Sequence, residues 1–451
     1  MKRLLQTIRN INKIEELKRR ILYTLLIVLL YRVGSFVVLP GVDPQMLGAF
    51  KSQTKDGLLG LLNMFSGGAF SNASIFALGI MPYISASIVV QLLGMAIPYF
   101  QKLQKEGESG RKKLNQMTRY LTVIILLFQS PSYIANLIGQ LPSTAVYPFT
   151  PDTAHSIFSF FGISSILILT AGSMFIMWMG ERITDKGIGN GISLLIMVGI
   201  IARLPFALVG EFVSRMEEQG GGLVVFLLEL IFLVFVVLIS ILLVQGTRKI
   251  PVQYAKRIVG NKQYGGVRQY IPLKVNAAGV MPIIFAQAIM FLPITLVGFA
   301  QSETLSGFAA TFSDFNGFWY NFTFAVLIVL FTYFYTAITI NPNQMAEDMK
   351  KNGGFIPGIK PGKRTAEFLD GVMSKITLPG SMFLAFVAIL PAIVRLFGVN
   401  TQFAQFYGGT SLLILVGVVL DTLQQIESHL LMRHYDGLTK SGRIKGRTSG
   451  M

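Results

Sequence analysis

The feature that most restricts this chain is a shortage of charge. Only 14% of its 451 residues are Asp, Glu, Lys or Arg, while 52% are hydrophobic. Soluble domains carry about 25% charged residues, so a water-facing surface of the required size cannot be assembled from this sequence. The apolar residues also gather into ten runs, at about 21–39, 73–97, 119–139, 156–179, 188–209, 223–244, 275–298, 318–340, 376–397 and 408–431. A helix crossing the hydrocarbon core needs about 20 residues, which each run supplies. In lipid every backbone polar group must be bonded internally, and helices do this segment by segment. The expectation is an all-α polytopic membrane protein, and the mean hydropathy of +0.58 agrees.

The placement of positive charge sets the sides. Of 39 Lys and Arg, 33 fall in 2–20 and in the alternate loops 102–119, 182–186, 248–274, 350–375 and 433–447. The other side holds six: Arg32, Lys51, Lys55, Arg203, Arg215 and Arg395. By the positive-inside rule both termini are expected to be cytoplasmic. Residues 1–20 are polar and basic and no small-residue cleavage site follows, so no cleaved signal is expected. The absence of Cys excludes disulfides and thiolate chemistry, and three His (155, 429 and 434) make a His-rich metal site an unsuitable reading. No cofactor is expected.

Nucleotide and hydrolase signatures are absent: there is no GxxxxGK[ST], HExxH or GxSxG. Away from the ends of the apolar runs the acids are Glu229 and Asp421. A proton-coupled transporter places ionisable groups at mid-membrane, and two isolated acids suit a bond to a neighbouring helix or a partner subunit better. Two loops on the basic side are long, about 245–274 and 341–375. Loops of this length usually carry function. They suit either contact with lipid headgroups or docking of an anionic partner.

Residues 63–93 read NMFSGGAFSNASIFALGIMPYISASIVVQLL, polar without charge where a greasy span is due. The preceding piece, Leu58 to Phe70, is apolar but too short to cross and contains Gly67-Gly68. It fits a re-entrant element lining a cavity or ordinary small-residue helix packing.

This stretch resembles the SecY/Sec61-alpha family of protein-conducting channels. Further blocks carry the resemblance along nearly the whole chain: KEGESGRKK (105–113), GERITDKGIGNGIS (180–193), PLKVNAAGVMP (272–282), FIPGIKPGKRTAEFLD (355–370) and YGGTSLLI (407–414). The resemblance implies ten helices in two pseudo-symmetric halves around a central pore: 21–209 with a plug at about 58–72, and 210–431, between cytoplasmic segments 1–20 and 432–451. It implies a pore ring of Ile80, Ile84, Ile192, Ile196, Ile284 and Ile414, since a narrow apolar ring dewets and blocks ions. The plug would include Leu59, Asn63, Met64, Phe65, Ser66, Gly67 and Gly68. Ser85, Ser87, Gln91, Gln129 and Asn276 are the matching lateral-gate candidates, or else they bond helix to helix at about 0.6 kcal/mol each.

The same resemblance implies translocation of unfolded secretory preproteins, recognition of their signal sequences and lateral release of apolar segments into membrane lipids. It also implies SecE and SecG as small subunits, drive from SecA or the ribosome, and a bacterial inner membrane. Arg248, Lys249, Lys256, Arg257 and Lys360 would meet the motor or ribosome. Lys360 departs from the family's usual arginine in this loop: charge is kept and the planar two-pronged donor is lost. The rival readings are a small-solute transporter, short of coupling carboxylates here, and a pore-free scaffold, in which a plug would serve no purpose.

Overall fold

The computed structural model describes residues 14–54, 57–141, 159–217, 221–254, 257–259, 262–264, 268–287, 289–290 and 317–441. The chain begins with α1 (Glu15–Gly34), α2 (Gly48–Gln53), α3 (Gly57–Phe65), α4 (Met81–Ala96), α5 (Pro98–Lys105), α6 (Glu108–Gln140), α7 (Phe160–Lys186), α8 (Gly191–Met216) and α9 (Gly222–Gln245). Strands β1 (Thr247–Tyr254), β2 (Arg257–Val259), β3 (Lys262–Tyr264) and β4 (Arg268–Lys274) follow. After a short helical stretch at 281–287 come α10 (Phe318–Thr339), α11 (Pro342–Lys351), β5 (Gly354–Phe355), α12 (Lys363–Leu396), α13 (Thr401–Ala404) and α14 (Gly409–Ser441).

Seven helices among the described residues are long and apolar enough to span a membrane: α6, α7, α8, α9, α10 with α11, α12 and α14. An eighth span arises if α4 and α5 are taken together, although they bend by 103°. The bend has a local cause. Ile97 precedes Pro98 and is extended, with φ −111° and ψ 122°, because the proline ring crowds the helical conformation of the residue before it. Two of the ten expected segments fall short of a span for separate reasons. The first two turns of α1 carry Glu15, Glu16, Lys18, Arg19 and Arg20, leaving too short an apolar remainder. In the seventh segment, residues 291–298 lie outside the described residues. The second segment also starts later than hydropathy indicates: 66–80 are turns, and helix begins only at Met81.

The chain forms two units. Unit 1 comprises 1–52, 63–202 and 418–451, and unit 2 comprises 53–62 and 203–417.

In unit 1 the glycine-rich joints become close crossings. Gly180 and Gly191 bring α7 against the start of α8, where a Cβ on Gly191 would lie 2.0 Å from the Gly180 carbonyl oxygen. The turn between these helices is tied by distant side chains: Thr24 Oγ1 accepts the Ile188 amide at 3.2 Å, and Gln425 Oε1 accepts the Gly189 amide at 2.9 Å. Asn190 Oδ1 then caps α8 by accepting the amides of Ile192 and Ser193.

In unit 2 the two long loops do not fold separately. β1 pairs antiparallel with β4 from Thr247↔Lys274 to Gln253↔Arg268, and β5 from the second loop adds to the other edge of β1. Pro251 is tolerated in β1 because β5 reaches only Gln253 and Tyr254, so its missing N–H faces an open edge. Alternate β1 residues Ile250 and Val252 point inward and meet Leu273 from β4, Met349 from α11, Ile356 just after β5, and Leu369 and Met373 from α12. These seven side chains make one apolar core shared by segments about 100 residues apart.

A shared core predicts shared failure. Leu369→Ala should destabilise this extramembrane domain by about 2–5 kcal/mol. Limited proteolysis would then cut the 245–274 and 341–375 loops together; a loop nicked alone would mean the two are independent.

Candidate functional site

The stretch after α3 is non-helical and buried, so its backbone must find partners. Its own polar side chains supply them. Asn63 Oδ1 accepts the Ser71 amide at 3.0 Å, and the Asn63 carbonyl accepts the Gly68 amide at 2.8 Å. Ser66 Oγ donates to the Asn63 carbonyl and accepts the Phe70 amide at 3.1 Å. Ser71 and Ser74 hydroxyls donate to the carbonyls of Gly68 and Ala69, both at 3.1 Å. The polarity without charge in this stretch is therefore a set of backbone surrogates. Gly67 (φ +64°) and Gly68 (φ +92°) occupy the left-handed region where a side chain is strained.

This segment seats on α8 backbone to backbone. A Cβ on Gly67 would lie 2.9 Å from the Gly199 Cα, and one on Gly199 would lie 2.8 Å from the Phe65 carbonyl oxygen. Phe70 meets Tyr133 edge-on at 4.9 Å between centroids and stacks on Phe50 at 5.9 Å.

The expected plug residues Asn63, Met64, Phe65, Ser66, Gly67 and Gly68 are all buried, and Leu59 is half-buried. The six isoleucines share a placement: each lies at the N-cap or within the first six residues of its helix. Ile80 caps α4 and Ile84 donates its amide to the Ile80 carbonyl. Ile192 and Ile196 stand one turn apart on α8, Ile284 lies in 281–287, and Ile414 is the sixth residue of α14. Ile80, Ile196 and Ile414 are buried and the other three half-buried. The first four belong to unit 1, and Ile284 and Ile414 to unit 2.

Of the gate candidates, Gln91 Nε2 donates to Ser87 Oγ at 3.4 Å along α4. Ser85 on α4 and Gln129 on α6 are half-buried, and these two helices pack together. Asn276 lies buried in the turns before 281, with its Oδ1 unpartnered among the described residues.

Arg248 and Lys249 are exposed on β1, and Lys360 is exposed in the turn before α12, where Gly358 (φ +84°) and Gly362 (φ +101°) set the chain direction. Thr365 Oγ1 donates to the Lys360 carbonyl at 2.9 Å, fixing that turn. Arg257 opens β2, and Lys256 lies outside the described residues. Exposed Arg268, Lys274, Lys350, Lys351, Lys363 and Arg364 extend the same domain's positive surface.

Glu229 is not an isolated acid. Arg215 pairs with it at 2.6 Å and with Glu211 at 2.9 Å; both Glu side chains are at most 10% exposed. Glu211 Oε2 also accepts the Asn400 amide at 2.8 Å, and Tyr407 donates its hydroxyl to the Glu229 carbonyl at 2.8 Å. This cluster staples α8, α9 and the 397–407 loop of unit 2. The Glu211–Arg215 spacing of four was visible in the sequence, whereas the link to Glu229 was not. Asp421 is exposed and meets Gln425 on its own helix.

A family model described as SecY matches residues 74–423. The protein translocase subunit SecY of Mycobacterium tuberculosis is 44% identical over 439 residues, covering 94% of this chain and 97% of the relative. In fold the chain resembles a solved SecY described as having a plug domain that stabilises the closed state of the translocation channel and maintains a membrane seal. There the TM-score is 0.59 at 17% identity, with 95% of each chain covered. It also resembles Sec61 in a canine ribosome–channel complex, with a TM-score of 0.55 at 15% identity and 95% of each chain covered.

Removing Arg215 would leave two buried carboxylates without their cation. Arg215→Met should cost about 3–5 kcal/mol, read as a lowered Tm of the purified protein in detergent. Adding Glu211→Gln and Glu229→Gln should recover most of the loss; no recovery would show that the charges are not the reason.

Proposed function

The chain belongs to the SecY family, and from that premise we propose that it is the conduit of a protein translocase, through which unfolded polypeptides cross a membrane. The observation that carries this reading is the relationship itself, 44% identity to a translocase subunit over nearly the whole length of both chains. The protein is a multi-pass membrane protein and a channel subunit, not an enzyme. The finer reading has ten helices in two halves, about 21–209 and 210–431, parting to release apolar segments sideways into lipid past Ser85, Ser87, Gln91, Gln129 and Asn276. Both termini would face the cytoplasm of a bacterial inner membrane, with 1–20 and 432–451 as flanking cytoplasmic segments.

The physics of such a conduit is a conflict between passing a chain and blocking ions. Ile80, Ile84, Ile192, Ile196, Ile284 and Ile414 resolve it as an aliphatic ring. A narrow apolar constriction dewets when empty, and side chains without directional bonds can widen around any sequence. Their common placement near helix starts supports this reading, because helix ends beside turns move at less cost than helix middles. Residues 58–72 would stopper the ring, and their lack of lipid-like continuity supports it: the backbone between α3 and α4 is closed by Ser and Asn side chains.

No nucleotide-binding loop is present, so the driving force is external. The folded loop domain of unit 2 offers Arg248, Lys249 and Lys360 as exposed cations, and the sequence of the 245–274 loop adds Lys256 and Arg257. These suit SecA or ribosomal RNA, both large and anionic where they dock. SecE and SecG would complete the complex, with signal sequences and preproteins as its passengers.

The reading is tested by ion flux. Ile284→Asn introduces a polar side chain into the proposed ring and should raise halide entry into vesicles carrying the complex, with precursor translocation retained. A translocating variant as tight as the native chain would remove Ile284 from the ring. Replacing Arg248 and Lys249 together by Glu should cut SecA-driven translocation about tenfold or more, on the scale of two lost interfacial charge contacts. The resting ion leak should stay unchanged.

A further inference from the structure

The bonds that hold the 66–70 segment against the rest of unit 1 share a pattern. Three side chains outside the segment donate to its main-chain carbonyls. Arg32 Nη1 donates to the Gly67 carbonyl at 2.7 Å, Tyr133 Oη to the Phe70 carbonyl at 2.9 Å, and Tyr31 Oη to the Ser66 carbonyl at 3.4 Å. Arg32 lies in the last turn of α1, half-buried, with its guanidinium 4.8 Å from the Phe36 ring centroid. Among the described residues no carboxylate lies within 4.0 Å of it. A guanidinium in an apolar helix is costly and marks function unless an acid pairs with it. Here its close hydrogen-bond acceptor is a peptide carbonyl at a glycine.

We propose that Arg32, with Tyr31 and Tyr133, is the latch of the stopper. These residues position the segment in its closed seat by gripping its main chain. The inference rests on the reading of 58–72 as a plug, and it assigns the work of holding that plug to three residues of α1 and α6. Two consequences of the geometry follow. First, a grip on carbonyls is indifferent to the plug's own side chains, so those can change without loosening it. Second, the grip is all-or-none in space. Gly67 rests on Gly199 with no room for a Cβ, so even a small outward shift lengthens the Arg32 bond beyond its useful range and frees the neighbouring carbonyls together. Arg32 is half-exposed and keeps its charge when released, with Phe36 beside it as a resting surface. The open state therefore does not strand a buried ion. Tyr133 also packs edge-on against Phe50, which lies outside the segment, so it stays in place to receive the returning segment.

The test uses the complete complex in vesicles of bacterial phospholipid with an entrapped halide-sensitive dye. Arg32→Gln removes a charged donor. Loss of such a bond shifts a two-state equilibrium by about ten- to a hundredfold, so halide entry without any precursor should rise by at least about tenfold. Arg32→Lys, which still donates, should return most of the seal. Tyr133→Phe, lacking only a hydroxyl, should give a rise of about fivefold. A purely structural role for Arg32 would instead lower Tm and yield without a precursor-independent leak, and lysine would not rescue the seal. If Arg32→Gln does not accumulate, the Tyr31→Phe, Tyr133→Phe double variant takes its place. A translocating Arg32→Gln or double-Phe complex as tight as the native one overturns the latch. Ile284→Asn separates the two failures. If it leaks while the latch variants stay tight, only the latch is wrong; if neither leaks, the pore reading falls with it.

Discussion

The structure depends on one constraint, that a non-helical backbone buried among apolar spans must have its hydrogen bonds supplied from somewhere. Residues 66–80 violate the usual solution, which is to be a helix. They do so with Asn63, Ser66, Ser71 and Ser74 as internal donors and acceptors, and with Leu39 and Val37 pairing to Ala73 and Ile75. Between 63 and 71 the backbone is closed largely by its own side chains, while residues 73 and 75 are tied to the stretch that follows α1. A continuous helix through the same residues would need none of these side-chain partners.

The parts of this arrangement that were legible in the sequence are the ones that depend on neighbouring residues alone. Hydropathy marked the long helices, and the Pro98 break and Gly67-Gly68 were visible as local chemistry. Hydropathy alone opens the second helix too early, because Ile75 to Ile80 are apolar and yet turned by Ala73 and Gly79 at positive φ. What local reading missed are partners separated by long stretches of chain. Nothing in GIGNGIS announces that Thr24 and Gln425 hold its amides. In the charge pattern Arg32 is one external cation among six, although a lone cation inside an apolar run is itself a signal. Glu229 stood as an isolated acid because its cation arrives from the preceding helix.

The extramembrane domain illustrates the same limit. Alternation of Ile250 and Val252 gives a strand with one buried face, but not what covers it. The cover is Met349, Ile356, Leu369 and Met373, contributed from beyond the seventh and eighth apolar segments. A single core joining both loops places their exposed cations on one folded domain.

The central claim is that a polypeptide passes through an isoleucine ring, and the absence of native cysteine gives it a direct test. A single Ile284→Cys chain, assembled with its partner subunits and SecA, would be given a precursor carrying one cysteine stalled in mid-transit. The account predicts a disulfide between the two that forms only with ATP. A precursor that is translocated without a crosslink at 284, or at cysteines placed singly at 80 or 192, would put the path elsewhere and contradict the account.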